Sequence, residues 1–187
     1  MAEELSLLEY AGSPIAEVGR YEGDDTTYQE VASWTVRSGY QGVLFEVSMM
    51  SNMFARTTFR LTTRKVALTG SLTFTNASAA VNGVGTAFTT ELQAGDEIIL
   101  DADETWATVS SITSDTALVL SAVYAGTGGS GASSRVYGFS GLQISAPLTL
   151  SWDNNILASA TEVKLEAASD GDATIIVDAI ITGKLLD

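Results

Sequence analysis

The 187-residue chain contains no cysteine and no histidine. The first absence excludes disulfides, thiolate nucleophiles and Cys-ligated metals. The second removes the commonest general base and zinc ligand, and with them every Ser-His-Asp or Cys-His arrangement. Basic residues are scarce, nine against 23 acids, and the resulting formal charge of −14 repels phosphate backbones and anionic membrane surfaces. Neither nucleic acid nor a membrane is therefore expected as a partner. No apolar run approaches the roughly 20 residues that cross a bilayer. The opening MAEELSLLEYAG carries acids where a signal peptide carries Lys or Arg. A soluble protein made in a cytoplasm is expected. Proline occurs only twice, whereas 17 glycines punctuate short apolar runs, which is the signature of many short strands and turns.

What is present alternates with period two, the pattern of strands with one face on a core. Val43, Phe45, Val47 and Met49 form one expected inward row. Phe59 and Leu61 form another, against Thr58, Arg60, Thr62 and Arg64. Further on come Leu142, Ile144, Ala146, Leu148 and Leu150, then Val163, Leu165 and Ala167 opposite Glu162, Lys164 and Glu166. Ile175, Val177, Ala179 and Ile181 complete the set after a turn at Asp170-Gly171-Asp172. With a strand near 28–36, six or seven strands come from two separated halves, each too short for a sandwich of its own. The halves must pair, and an antiparallel, jelly-roll-like sandwich is the simplest all-β solution.

Between the halves lies a segment with seven acids (Glu91, Asp96, Glu97, Asp101, Asp103, Glu104 and Asp115) and no base. It opens at Thr69-Gly70-Ser71 and closes in a glycine-rich run, 126–134, that reads as flexible. Its own strands are expected at 72–75, 79–81, 97–100, 106–112 and 117–123, with turns at Asn82-Gly83, Ala94-Gly95-Asp96 and Ser114-Asp115. The expected organisation is an N-terminal arm over 1–19, a body from 20–67 with 135–187, and an inserted small β-barrel or sandwich over 68–134. Residues 3–10 hint at helix or at an arm that orders on a partner.

The middle segment carries V-x-G-x-GT-x-F at 81–88, AGD with an apolar triplet at 94–100, and V-x-x-I-x-SDT-x-L-x-L at 109–120. In these it resembles a β-module that recurs in tailed-phage virion proteins. The flanks, GYQGVLFEVSMMSN with TTFRL and EVKLEAASDGDATIIVDAIITGKLL, are similar to capsid decoration (cement) proteins and related fibre-attachment domains. The resemblance implies a non-enzymatic structural protein on the capsid surface of a virion, made in the host cytoplasm, binding the major capsid protein and commonly trimeric. A receptor- or glycan-binding module of a tail fibre or baseplate is the alternative. Neither cofactor nor metal is implied.

Motifs with chemical potential have plainer readings. Gly83-Val84-Gly85-Thr86 lacks the Lys-Ser/Thr of a phosphate loop and reads as a turn. The acids at 96–104 lack EF-hand spacing and read as solvated turn carboxylates. Trp34, Trp106 and Trp152 read as core or interface anchors before sugar platforms. Met49, Met50, Met53 and Phe54 are explained equally by core packing and by a soft contact patch between subunits. Beside them stand Arg56, Arg60, Arg64 and Lys65, four of the nine cations, a local reversal of sign that would suit docking on a shell. Pairing with the chain's own acids is the competing reading.

Overall fold

A computed structural model describes residues 13–186. The chain divides into two compact units, one spanning 1–64 with 138–187 and the other spanning 65–137. In chain order the strands are β1 (Pro14–Gly23), β2 (Gln29–Thr35), β3 (Gln41–Ser51), β4 (Thr57–Ala67), β5 (Ser71–Thr75) and β6 (Ala80–Val84). A short helix, α1 (Phe88–Glu91), precedes β7 (Glu97–Leu100), β8 (Trp106–Ser114), β9 (Ala117–Leu120) and β10 (Gly128–Gly131). β11 (Ser133–Leu142), β12 (Leu148–Leu157), β13 (Glu162–Ser169) and β14 (Ile175–Leu186) follow.

The body is an antiparallel sandwich. Sheet I has the order β1-β14-β3-β12, and sheet II runs β11-β4-β13-β2. Successive body strands alternate between the sheets at every step except one: β4 and β11 are neighbours within sheet II. This is jelly-roll connectivity. Residues 65–137 therefore occupy the single hairpin connection of the roll and leave its crossovers intact. Val47, Met49, Val177, Ala179 and Ile181 from sheet I meet Trp34, Phe59, Leu61, Val163, Leu165 and Ala167 from sheet II in one buried cluster. Each Val, Leu, Ile, Phe or Met among them contributes about 1.5–3 kcal/mol by leaving water. Where β1 passes β2, a Cβ on Gly19 would lie 1.7 Å from the Val31 carbonyl oxygen, so only glycine fits there.

Several expectations for the body are corrected. Val43 and Phe45 do not face inward; Leu44 is buried and Phe45 is 39% exposed. The cause is a bulge in β3 opposite Thr182 and Gly183, which adds one residue and reverses the alternation. Residues 142–150 are not one strand. β11 ends at Leu142, β12 starts at Leu148, and Ala146 between them is exposed. Glu166 lies on the outward face of β13 yet is only 5% exposed, because Arg60 and Lys164 cover it. Of the expected N-terminal arm, residues 1–12 and with them the helical hint at 3–10 lie outside the described residues. Residues 14–19 are part of β1, paired with β14.

The second unit carries its own buried cluster, in which Leu72, Phe74, Val81, Phe88, Ile98, Leu118 and Tyr124 pack together. Its strands follow the order β10-β5-β6-β9-β8-β7-β11. Since β10 and β11 are consecutive pieces of one extended stretch broken at Ala132, the two ends of this order are joined and the sheet closes as a small barrel. Asn82-Gly83 is not a turn but the interior of β6; the chain reverses at Asn76-Ala77 instead, where Ala77 has φ 59°. The glycine-rich run is likewise strand, and supplies the barrel's closing seam. Gly129 and Gly131 lie against Leu100, and Gly128, at φ 77°, faces the Phe74 carbonyl.

Candidate functional site

Sheet I turns one face to the core and the other outward, and its register lines the outward residues into cross-strand rows. Arg20, Asp178 and Met50 make the first row; Val18, Ile180, Ser48 and Thr149 the second. Ala16, Thr182, Glu46 and Ser151 make the third; Pro14, Lys184, Val43 and Ile156 the fourth. The Ser48 and Thr149 hydroxyls hydrogen-bond across the strands at 2.8 Å, and Arg20 stands 3.7 Å from Asp178. Around the first two rows, rimmed by Pro147 and Leu148, lies an open cleft of about 250 Å³ with a mainly apolar lining. Val18 is 74% exposed, Met50 47% and Ile180 42%. These three side chains and Pro147 form an exposed apolar cluster around the cleft, set among the polar residues of the same rows, and such a cluster is a candidate contact surface.

The charge on this face is also distinctive. Arg20 and Lys184 nearly offset Glu22, Glu46 and Asp178, on a chain whose formal charge is −14. A protein partner can therefore approach this face with little of the repulsion the rest of the chain exerts.

The sequence-predicted contact residues separate. Met49 points into the sandwich core, whereas Met50 lies on the outward face and lines the cleft. Met53 is exposed and precedes the 3-10 turn Phe54–Arg56, where Phe54 is half-buried. The cations have acidic neighbours. Arg56 reaches Asp170 at 2.9 Å and Asp172 at 3.1 Å. The Asp172 amide and this guanidinium together hold the Asp170 carboxyl below the usual aspartate range. Arg60 forks onto both Glu166 oxygens at 2.8 Å and lies 4.5 Å over the Tyr28 ring. Lys65 bonds Glu104 at 2.7 Å, and Arg64 is also engaged. Arg56, Arg60 and Lys65 thus each have an acid of the chain within ion-pair distance, the pairing weighed from the sequence beside the docking reading.

The acids of the second unit are likewise tied to its own chain. Asp103 accepts hydrogen bonds from the Tyr124 hydroxyl, the Thr105 amide at 3.1 Å, and the Thr127 hydroxyl and Gly128 amide at 3.3 Å each. Burial pushes its pKa up, but the four donors outweigh burial and leave it below the ordinary value. Burial and the same bond push the Tyr124 phenol up. Asp96 is held by Arg135 at 2.6 Å and by the Gln93 amide, and Glu97 accepts from Thr108. Among the described residues no three His, Cys, Asp or Glu side chains are grouped to hold a metal. Gly83 and Val84 belong to β6 and are strand, not turn, and the Thr86 hydroxyl donates to the Asp115 carbonyl. Trp34 is buried, and Trp152 packs against the body core.

Sequence reasoning missed Val18, Ile180 and the outward face as a whole. The available signal was the run 175–181, which is apolar at outward Ile176 and Ile180 as well as inward; a strand apolar on both faces has something to cover on each.

No family model matches the chain, and no curated protein matches it. Among solved structures, the VP16-VP17 complex, a complex of the two major capsid proteins of bacteriophage P23-77, aligns over 89% of this chain and 98% of that chain. The identity is 10% and the TM-score 0.22, a likeness that carries no argument about fold or function.

Proposed function

We propose that the chain is a non-enzymatic virion structural protein of a tailed phage, a capsid decoration protein bound to the major capsid protein at the head surface. The observation that supports this reading is the outward face of sheet I: an exposed cleft with a mainly apolar lining, on a nearly charge-balanced face of an acidic chain, suited to a protein partner. The cleft is lined by Val18, Met50, Pro147 and Ile180, with no aromatic ring among its walls. Sugar recognition rests on aromatic stacking platforms, so the lining favours cementing over glycan binding. Trimeric grouping belongs to the same reading, by resemblance.

The test is co-sedimentation of the purified chain with phage heads from which it has been omitted, paired with electron microscopy of the decorated particles. Stoichiometric density on the shell is expected. Density confined to the tail, or failure to bind heads at any salt concentration, overturns the assignment.

A further inference from the structure

The outward face of sheet I has a second property beyond being apolar: it matches itself when turned end for end along its strands. On β14 the first row carries Asp178 and the fourth carries Lys184. On β3 the same two rows carry Met50 and Val43. Turning a copy over about an axis that lies in the face and crosses the strands midway sets the first row over the fourth, and the second over the third. Each Asp178 then faces a Lys184, each Met50 faces a Val43, and each Ile180 faces the methyl-bearing Thr182. The same turn lays Val18 over Ala16, Arg20 over Pro14 and Ser48 over Glu46, so one pair of unlike charges and several apolar pairs meet and no like charges oppose, which is what an isologous contact requires.

We propose that the partner covering this face is a second copy of this chain, packed about that two-fold axis. The inference rests on the contact-surface reading above and names the occupant of the same face; with a copy seated there, attachment to a shell is made by the pair through its remaining surface. It makes a parity statement. The assembly holds an even number of chains, two, or six if copies also group in threes through another surface.

The experiment is sedimentation velocity with light scattering on the full chain up to about 100 µM, where a contact of even modest affinity is populated. Wild-type protein is expected at an even number of chains. Val18→Glu with Ile180→Glu should halve that mass, raising the dissociation constant by at least ~100-fold through buried charge, while circular dichroism keeps its strand signature. Asp178→Lys alone should weaken the contact, and Asp178→Lys combined with Lys184→Asp should restore it, since the facing pair is then merely reversed. A wild-type mass of one or three chains overturns the proposal, as does a mass unchanged by the double glutamate or a reversal that does not rescue. Shell binding is read separately. If the double glutamate abolishes attachment to heads from a wild-type mass of one or three chains, the face belongs to the shell and the copy contact is refuted. An even mass that halves, with no attachment in any form, keeps the copy contact and removes the decoration assignment.

Discussion

Asp103→Asn is the sharpest single perturbation of the second unit. Four donors converge on this carboxylate, and two of them, the Thr105 amide on Oδ1 and the Gly128 amide on Oδ2, are backbone N–H groups that cannot reverse. Asparagine offers one oxygen and one NH₂. Whichever way the amide turns, its NH₂ meets a backbone donor, so at least one bond is replaced by a donor-donor clash. Hydrogen bonds to a charged group are worth about 1.5–3 kcal/mol each, so a loss of about 2 kcal/mol is expected. For a unit of this size that lowers its melting temperature by roughly 8–16 °C. The pH dependence has a definite sign. The folded pKa of Asp103 is depressed, so its contribution is complete above the unfolded value near 3.8 and is lost as pH falls through the folded value. Wild-type protein should therefore lose stability in the second unit on acidification, and the variant should lose less. Calorimetry at pH 7 and at about pH 3, with hydrogen exchange at the Gly128 and Ser130 amides of the seam, reads both effects. Unchanged melting at pH 7, or an acid response identical in the two proteins, would refute the reasoning.

Three further outcomes are expected. Gly19→Ala forces a methyl into the Val31 carbonyl and should cost the body about 3 kcal/mol by denaturant titration, whereas Gly39→Ala, at an open turn, should cost only about 1 kcal/mol of backbone strain. Arg60→Met removes the two-pronged partner of the buried Glu166, leaving only Lys164 at 3.5 Å, and should cost about 2 kcal/mol, while Arg60→Met with Glu166→Leu should recover part of it; equal losses in the single and the double would show that the pair is not coupled. Replacing residues 68–134 with a short Gly/Ser linker should leave a soluble body with one cooperative melt, and a molten or insoluble product would show that the insert is needed for folding.

The all-β, jelly-roll-like class was legible because the inward rows at Phe59 and Leu61, at 163–167 and at 175–181 keep strict period two, and the structure buries each of them. The reading failed where a single extra residue intervened. Nothing in GVLFEV marks the β3 bulge, because both phases of that run are apolar and the choice is made by pairing with β14. β1 was invisible for a related reason: as a sheet edge with Ala16, Glu17 and Arg20 exposed, it has little alternation to show. At the candidate site, Met50 was legible as an outward residue next to inward Met49. Val18 and Ile180 were not, since they join Met50 only through strand pairings far apart in sequence. The arginines were conspicuous as a run, but their acids, Glu166 and Asp170, lie over a hundred positions away, and sequence proximity cannot display such pairing.

The glycine seam bears on how such a chain can be engineered. By composition, Gly126-Thr-Gly-Gly-Ser-Gly-Ala-Ser-Ser134 is where a peptide for surface display would naturally be spliced, since it has the makeup of a synthetic linker. In the fold it is the stave that closes the barrel between β5 and β7, held by the Asp103 carboxylate. A cargo placed there would pry the barrel open. The two-residue reversal at Asp115-Thr116, between β8 and β9, is no free tip either: the Asp115 carbonyl accepts from the Thr86 hydroxyl and the Phe88 amide, its carboxylate from the Thr89 amide, and the Thr116 carbonyl from the Gly83 amide. A splice site in this module therefore has to be chosen from its hydrogen bonds, because the stretch with a linker's composition is part of the wall.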